Sequence, residues 1–127
     1  MTTVNVRYMV RDTKEAIAFY TTHLGFTLIS DQSPAFADVK LGDLRLLLAG
    51  PKSSAGRPMP DGRVPEPGGW NRILLVVEDI DAEVVRLRSA GVRFRNDVIS
   101  GPGGSQVLVE DPSGNVIEVF RPRSSPA

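Results

Sequence analysis

Val10-Arg11-Asp12-Thr13-Lys14-Glu15-Ala16-Ile17-Ala18-Phe19-Tyr20-Thr21-Thr22-His23-Leu24-Gly25-Phe26 is the stretch on which the fold turns. Asp12 has the short polar side chain of a helix N-cap, and Glu15 three residues later completes a capping-box-like pair. Ile17, Tyr20 and Leu24 recur at helical spacing, as do Ala16, Phe19 and His23, and Gly25 supplies a helix stop. A helix is therefore predicted over 13–24. Upstream, Val4 to Val10 alternates in polarity and reads as a strand. Downstream, Phe26–Ser30, Phe36–Leu41 and Leu44–Ala49 read as three more strands, the last two joined by a Gly42-Asp43 hairpin turn.

The pattern then recurs. Arg72–Val77 reads as a strand, Asp79 as an N-cap and Ile80–Ala90 as a helix with Ile80, Val84 and Leu87 on one face. Gly91 ends that helix, and strands follow at Val92–Arg95, Gln106–Glu110 and Val116–Phe120. Asp12 and Asp79 are offset by 67 residues (79 − 12), Gly25 and Gly91 by 66 (91 − 25). Strand, cap, helix and terminating glycine agree in order, which makes this an internal repeat. The fold class is α+β, one domain over 1–127 built from βαβββ modules at 1–49 and 71–121. Between them lies a Gly/Pro-rich loop (50–70), long enough to be either functional or a linker. A Pro/Ser-rich tail (122–127) is expected to fray. Gly101-Pro102-Gly103-Gly104 lacks the Lys-Ser/Thr and the following helix of a phosphate loop, and reads as a β-turn.

Composition narrows the function classes. The chain has 127 residues, with 15 Lys plus Arg against 15 Asp plus Glu, so its net charge gives no reason to expect nucleic acid or an anionic membrane as partner. No apolar run approaches the roughly 20 residues needed to span a bilayer. The N-terminus lacks a signal-peptide pattern, and a cytoplasmic location is the expectation. There is no cysteine, which removes disulfides, thiolate nucleophiles and Cys-bound zinc. The single histidine, His23, sits at a helix C-terminus, where the dipole favours it. Ser-His and Cys-His catalysis therefore have no convincing members.

Val10-x-Asp12 with Phe19-Tyr20-x-x-x-Leu24-Gly25-Phe26 resembles the first module of the vicinal-oxygen-chelate superfamily, which holds glyoxalase I, extradiol dioxygenases, fosfomycin-resistance enzymes and bleomycin-resistance proteins. Val77-Glu78-Asp79-Ile80-Asp81, Leu87-Arg88-x-Ala90-Gly91-Val92 and Asp111-Pro112-Ser113-Gly114-Asn115-x-x-Glu118 resemble its second module. The resemblance implies two modules whose sheets curl around a cleft, members that often dimerise, and, in the enzymes, a divalent metal on His, Gln or Glu side chains. Ligands of the family lie seven residues before the capping Asp and four after the hairpin glycine. Those counts select Asn5, Leu46, Arg72 and Glu118. Leucine donates nothing, and an always-charged guanidinium has no lone pair. Glu118 alone is a good metal ligand, so no metal is expected. A Zn, Ni, Mn or Fe ion is the alternative.

On the pleat expected, the cleft side carries Asn5, Arg7, Met9, Leu44, Leu46, Leu48, Arg72, Leu74, Val76, Gln106, Leu108, Val116, Glu118 and Phe120. This is an apolar wall with polar anchors. Such a wall makes either a pocket or a closed barrel or dimer interface. Trp70, the only tryptophan, can stack on a flat ligand or simply be half-buried at a strand start. Asn5, Arg7, Met9, Leu46, Trp70, Arg72, Gln106 and Glu118 are the candidate ligand-binding residues, with no catalytic residue among them. The chain accordingly reads as a homodimeric binding protein of the bleomycin-resistance type. It would sequester an antibiotic or other aromatic, possibly polycyclic, natural product. The alternative is a metal-dependent lyase, isomerase or dioxygenase of the same superfamily.

Overall fold

The computed structural model describes residues 2–123, so the end of the expected tail (124–127) lies outside the described residues. Contacts divide the chain into two compact units. One is Met1–Gly68 with Pro112–Asn115, and the other is Gly69–Asp111 with Val116–Ala127.

The first unit runs β1 (Val6–Met9), α1 (Thr13–His23), β2 (Thr27–Gln32), β3 (Phe36–Leu41) and β4 (Leu44–Ala49), in sheet order β1-β4-β3-β2. β1 is parallel to β4, and the other neighbours are antiparallel. The Asp12 carboxylate accepts from the Glu15 backbone N–H at 3.1 Å, a cap worth about 1 kcal/mol. Gly25 takes φ +75°, the left-handed stop that a side chain resists. α1 buries Ala16, Phe19 and Tyr20, with Tyr20 edge-on to Phe19 and Phe26 at 5.1 and 5.4 Å between ring centroids. Tyr8, Ala37, Val39, Leu46 and Leu48 are buried and share one sheet face, since Ala37 pairs with Leu48, Val39 with Leu46 and Tyr8 with Leu48.

The loop after β4 holds only a short 3-10 turn (Ser54–Gly56), and it belongs to the first unit as far as Gly68. The turn Pro112–Asn115 belongs there too. Its Asn115 donates to Met9 O at 2.7 Å and accepts from Gly68 N at 2.8 Å, while Arg11 N donates to Ser113 Oγ at 2.9 Å.

The second unit runs β5 (Ile73–Val76), α2 (Ile80–Ser89), β6 (Arg93–Phe94), β7 (Ile99–Gly101), β8 (Gly104–Glu110) and β9 (Val116–Pro122). Its sheet order is β5-β9-β8-β6, the order of the first unit, with β7 added against β8. Asp79 caps α2 by accepting from Ala82 N at 3.0 Å, and Gly91 takes φ +80°. Ile73, Val107, Val109, Ile117 and Val119 form the buried sheet face, matched by Ile80 and Leu87 from α2. The β-turn expected at 101–104 closes the β7–β8 hairpin, where Gly101 pairs with Gly104. β7 itself was not expected. Ile99-Ser100-Gly101 is too short to carry an alternation. The expected tail (122–127) begins one residue early, since β9 runs through Pro122.

Candidate functional site

Strand alternation in the second unit puts Leu74, Val76, Gln106, Leu108, Glu118 and Phe120 on the face opposite the helix, because Leu74 and Leu108 pair with Glu118 while Val76 and Gln106 pair with Phe120. This is the side expected for all six. Arg72 lies one residue before β5 and reaches the same face. Its Nε donates to Glu118 Oε1 at 2.9 Å, and its Nη1 reaches Trp70 O at 3.3 Å. Glu118 is 7% exposed, so its carboxylate needs this partner. Trp70 is not half-buried: it is 68% exposed. The Arg95 guanidinium carbon lies 4.6 Å from the centroid of its ring. Arg95 Nε donates to Glu110 Oε2 at 2.8 Å and its Nη1 to Gly69 O at 3.0 Å. Neither Arg95 nor its role was legible in the sequence, since nothing local connects it to a tryptophan 25 positions earlier.

In the first unit, Asn5 precedes β1, and Arg7 and Met9 alternate along it on the face away from α1, paired with Leu47 and Ala49. Leu46 is a correction. It is 0% exposed, pairs with Val6 and faces the helix side, together with Leu48 and by alternation Leu44. Leu47 takes the place expected for Leu46. The reason is the register of β4 on β1, which pairs Leu46 with Val6 and Leu47 with Arg7. The turns differ too. β3 and β4 are joined by two residues, Leu41 pairing with Leu44, whereas β8 and β9 are joined by five, Glu110 pairing with Val116. The strand carrying Leu46 meets β1 one step out of phase with the strand carrying Glu118 against β5. Leu47, paired with Arg7, is the counterpart of Glu118, paired with Leu74.

The same face holds a polar cluster that sequence reasoning missed. Asp38, opposite Leu47, is fully buried, is bonded by the Ser30 hydroxyl, and accepts from Arg45 Nε at 2.6 Å. Burial alone pushes this carboxyl up. The Ser30 hydroxyl and the Arg45 guanidinium outweigh burial and hold it below the ordinary aspartate value. An Asp set between Ala37 and Val39 of the Phe36–Leu41 strand was the available signal. His23 closes α1 and packs edge-on to Phe19 at 5.6 Å, as a structural residue. The long loop lines a pocket of about 420 Å³ with the end of β1: Met9 and Arg11 on one side, Val64, Pro65 and Pro67 on the other.

The donor set does not suit a divalent metal. Of the side chains at ligand positions, only Glu118 offers a strong donor, and its oxygen is engaged by a permanent cation. Among the described residues, no group of three or more His, Cys, Asp or Glu side chains could hold a metal ion. No helix among them is long and apolar enough to cross a membrane.

The sequence profile of the glyoxalase/bleomycin resistance protein/dioxygenase superfamily matches residues 3–119. The chain belongs to that superfamily. Within it, the solved structures similar to this member include both a binding protein and an enzyme. TnmS3, an antibiotic binding protein from Streptomyces sp. CB03234, is 30% identical over 97% of this chain and 99% of its own, with a TM-score of 0.68. A glyoxalase/bleomycin resistance protein/dioxygenase from Nocardioides is 25% identical over 99% of this chain and 86% of its own, at 0.73. A lactoylglutathione lyase from Agrobacterium tumefaciens, at 21% identity over 94% and 92%, shares the fold at 0.73. A comparison with functionally curated proteins gives no match. Two sheets and two helices in the repeated βαβββ order are the glyoxalase/bleomycin-resistance fold.

Proposed function

We propose that this superfamily member captures an aromatic small molecule, such as an antibiotic or other natural product, without a metal and without chemical turnover, as a cytoplasmic homodimer. The observation that carries the reading is the Arg72–Glu118 ion pair. Where a metal enzyme of this fold needs electron-pair donors, this chain has an arginine locked onto the one suitable carboxylate. Around that pair stand the features of a binding wall. Leu74 and Val76 are exposed, Gln106 supplies a polar anchor, and Trp70 presents a largely uncovered indole. In the first unit, Asn5, Arg7, Met9 and Leu47 supply the corresponding groups. The similarity to an antibiotic binding protein supports the same reading. A two-fold dimer gives two equivalent sites.

The test is calorimetry against a panel of aromatic antibiotics, with chromatography of the recovered ligand and elemental analysis of the purified protein. Saturable binding with the compound returned intact is the expected result. Trp70→Ala is expected to weaken binding by at least about tenfold, as loss of an aromatic anchor does. Stoichiometric Zn, Ni, Mn or Fe with rapid product formation would replace this reading with a metal-dependent lyase, isomerase or dioxygenase.

A further inference from the structure

Two carboxylates in the second unit each hold an arginine, and both arginines reach Trp70, Arg95 also bonding the Gly69 carbonyl before it. Glu118 holds Arg72, which reaches Trp70 O. Glu110 holds Arg95, which bonds Gly69 O and lies against the Trp70 ring. Gly68 and Gly69 take φ +108° and +89°, a stretch of backbone that is loose unless clamped. The Arg95 side chain is itself mostly buried. Leaving an indole exposed forgoes the stabilisation of burying it, so what sets this ring apart is that it is held outward by two arginines. Here the main chain on both sides of Cα is tied down while the ring stays 68% exposed, one face over a cation and most of its remaining surface toward solvent.

We infer that Arg95 is the positioning and selectivity residue of this platform: it fixes the Trp70 ring and, by occupying one face with a permanent cation, selects electron-rich or anionic planar aromatics for the other. The inference rests on the capture reading above and names its ligand class. An indole face is electron-rich and attracts cations. A guanidinium already seated on one face draws that electron density toward itself. A second cation on the outer face meets a depleted ring and a like charge within about 8–10 Å, comparable with the screening length of about 8 Å in physiological salt, so the repulsion is partly screened and grows as salt is lowered. An anionic or electron-rich ring meets the opposite situation. Glu110 neutralises part of the Arg95 charge, and the neighbouring Arg93, 3.8 Å from the same carboxylate, restores a positive balance.

Trp70 is the only tryptophan, so all intrinsic indole emission reports on it. The experiment compares wild type, Arg95→Gln, Arg95→Lys and Glu110→Gln. It reads Trp70 fluorescence anisotropy without ligand, and Trp70 quenching by a matched pair of probes, naphthalene-1-sulfonate and 1-naphthylmethylammonium. In wild type the anion is expected to bind about tenfold tighter than the cation. Arg95→Gln is expected to lower anisotropy and bring that ratio close to one. Arg95→Lys keeps the charge without the planar fork, so the ratio is retained while anisotropy falls. Glu110→Gln loosens Arg95 but leaves its charge, lowering anisotropy with the preference intact. Far-UV circular dichroism confirms that each variant is folded.

Unchanged anisotropy in both Arg95→Gln and Glu110→Gln overturns the positioning role. An unchanged probe ratio in Arg95→Gln, or equal binding of the two probes to wild type, overturns the selectivity role. If neither probe quenches wild-type Trp70, the selectivity role falls, and calorimetry with the antibiotic panel then shows independently whether aromatic capture falls with it.

Discussion

Replacing Arg72 with Met keeps much of the aliphatic stem and deletes the cation, which isolates the charge on Glu118. That carboxylate is 7% exposed and takes its Arg72 bonds at 2.9 Å. Removing one member of a fully buried pair costs about 3–5 kcal/mol, because the remaining charge is stranded. The Arg72 side chain is 29% exposed, so water reaches the vacated place and the expected loss falls to about 2 kcal/mol. Glu118→Leu is milder, about 1 kcal/mol. The arginine it leaves behind can turn to water and still reach Trp70 O. The double variant strands nothing and is expected to lie within about 1 kcal/mol of wild type, giving a coupling of about 2 kcal/mol. Urea denaturation resolves this. With slopes of about 1–3 kcal/mol per M, Arg72→Met moves the midpoint down by roughly 1 M and the double variant largely restores it. Additive losses in the double variant would refute the reasoning, because they would mean that Glu118 does not depend on Arg72.

Leu46→Ala and Leu47→Ala separate the two faces of β4. The first, in a fully buried site, is expected to cost about 2–5 kcal/mol by chemical denaturation, and the second clearly less, while only the second alters ligand affinity in calorimetry. Asp38 has a lowered folded-state pKa, so its ion pair contributes stability that is present above the ordinary aspartate value of about 3.9 and is lost as pH falls through the folded value. Urea midpoints measured from pH 6 to pH 3 should therefore fall, and Asp38→Asn should show a shallower decline from a lower start. Asp31, held by the Ser33 hydroxyl and backbone N–H and by Lys14, should titrate at about 2 when followed by carboxyl NMR. Gly104→Ala puts a Cβ into the Arg121 carbonyl at φ +145°. A loss of about 3 kcal/mol or failure to fold is expected in thermal melts.

Which parts of this were legible depended on whether the signal was local. β3 and β4 match their sequence boundaries because Gly42-Asp43 marks the turn and the flanking residues alternate. Both helix caps were visible because a capping Asp bonds an amide only three residues on. Arg72 and Glu118 were both picked out by the residue counts that the family resemblance implies, and they meet as an ion pair. The Leu46 assignment failed because pleat phase depends on how β4 docks on β1, which the hairpin glycine does not encode. β4 docks on β1 one step out of phase with β9 on β5, and one step is enough to invert the face. The Arg95 contact with Trp70 and the Asp38–Ser30–Arg45 cluster arise from strand pairing. Their members stand on different strands, and no window of sequence contains the relation.

The turn at Pro112–Asn115 has a consequence for how the protein comes to exist. Met9 waits for an amide 106 positions further along the chain, and the Arg11 backbone for a hydroxyl 102 positions on. During synthesis, the amino-terminal half leaves the ribosome with those groups still bound to water, and it is completed only when nearly the whole polypeptide has emerged. Two halves that repeat each other so closely are therefore not interchangeable cassettes. A gene fragment ending at Gly68 encodes a sheet and a helix but not the clasp that fastens them.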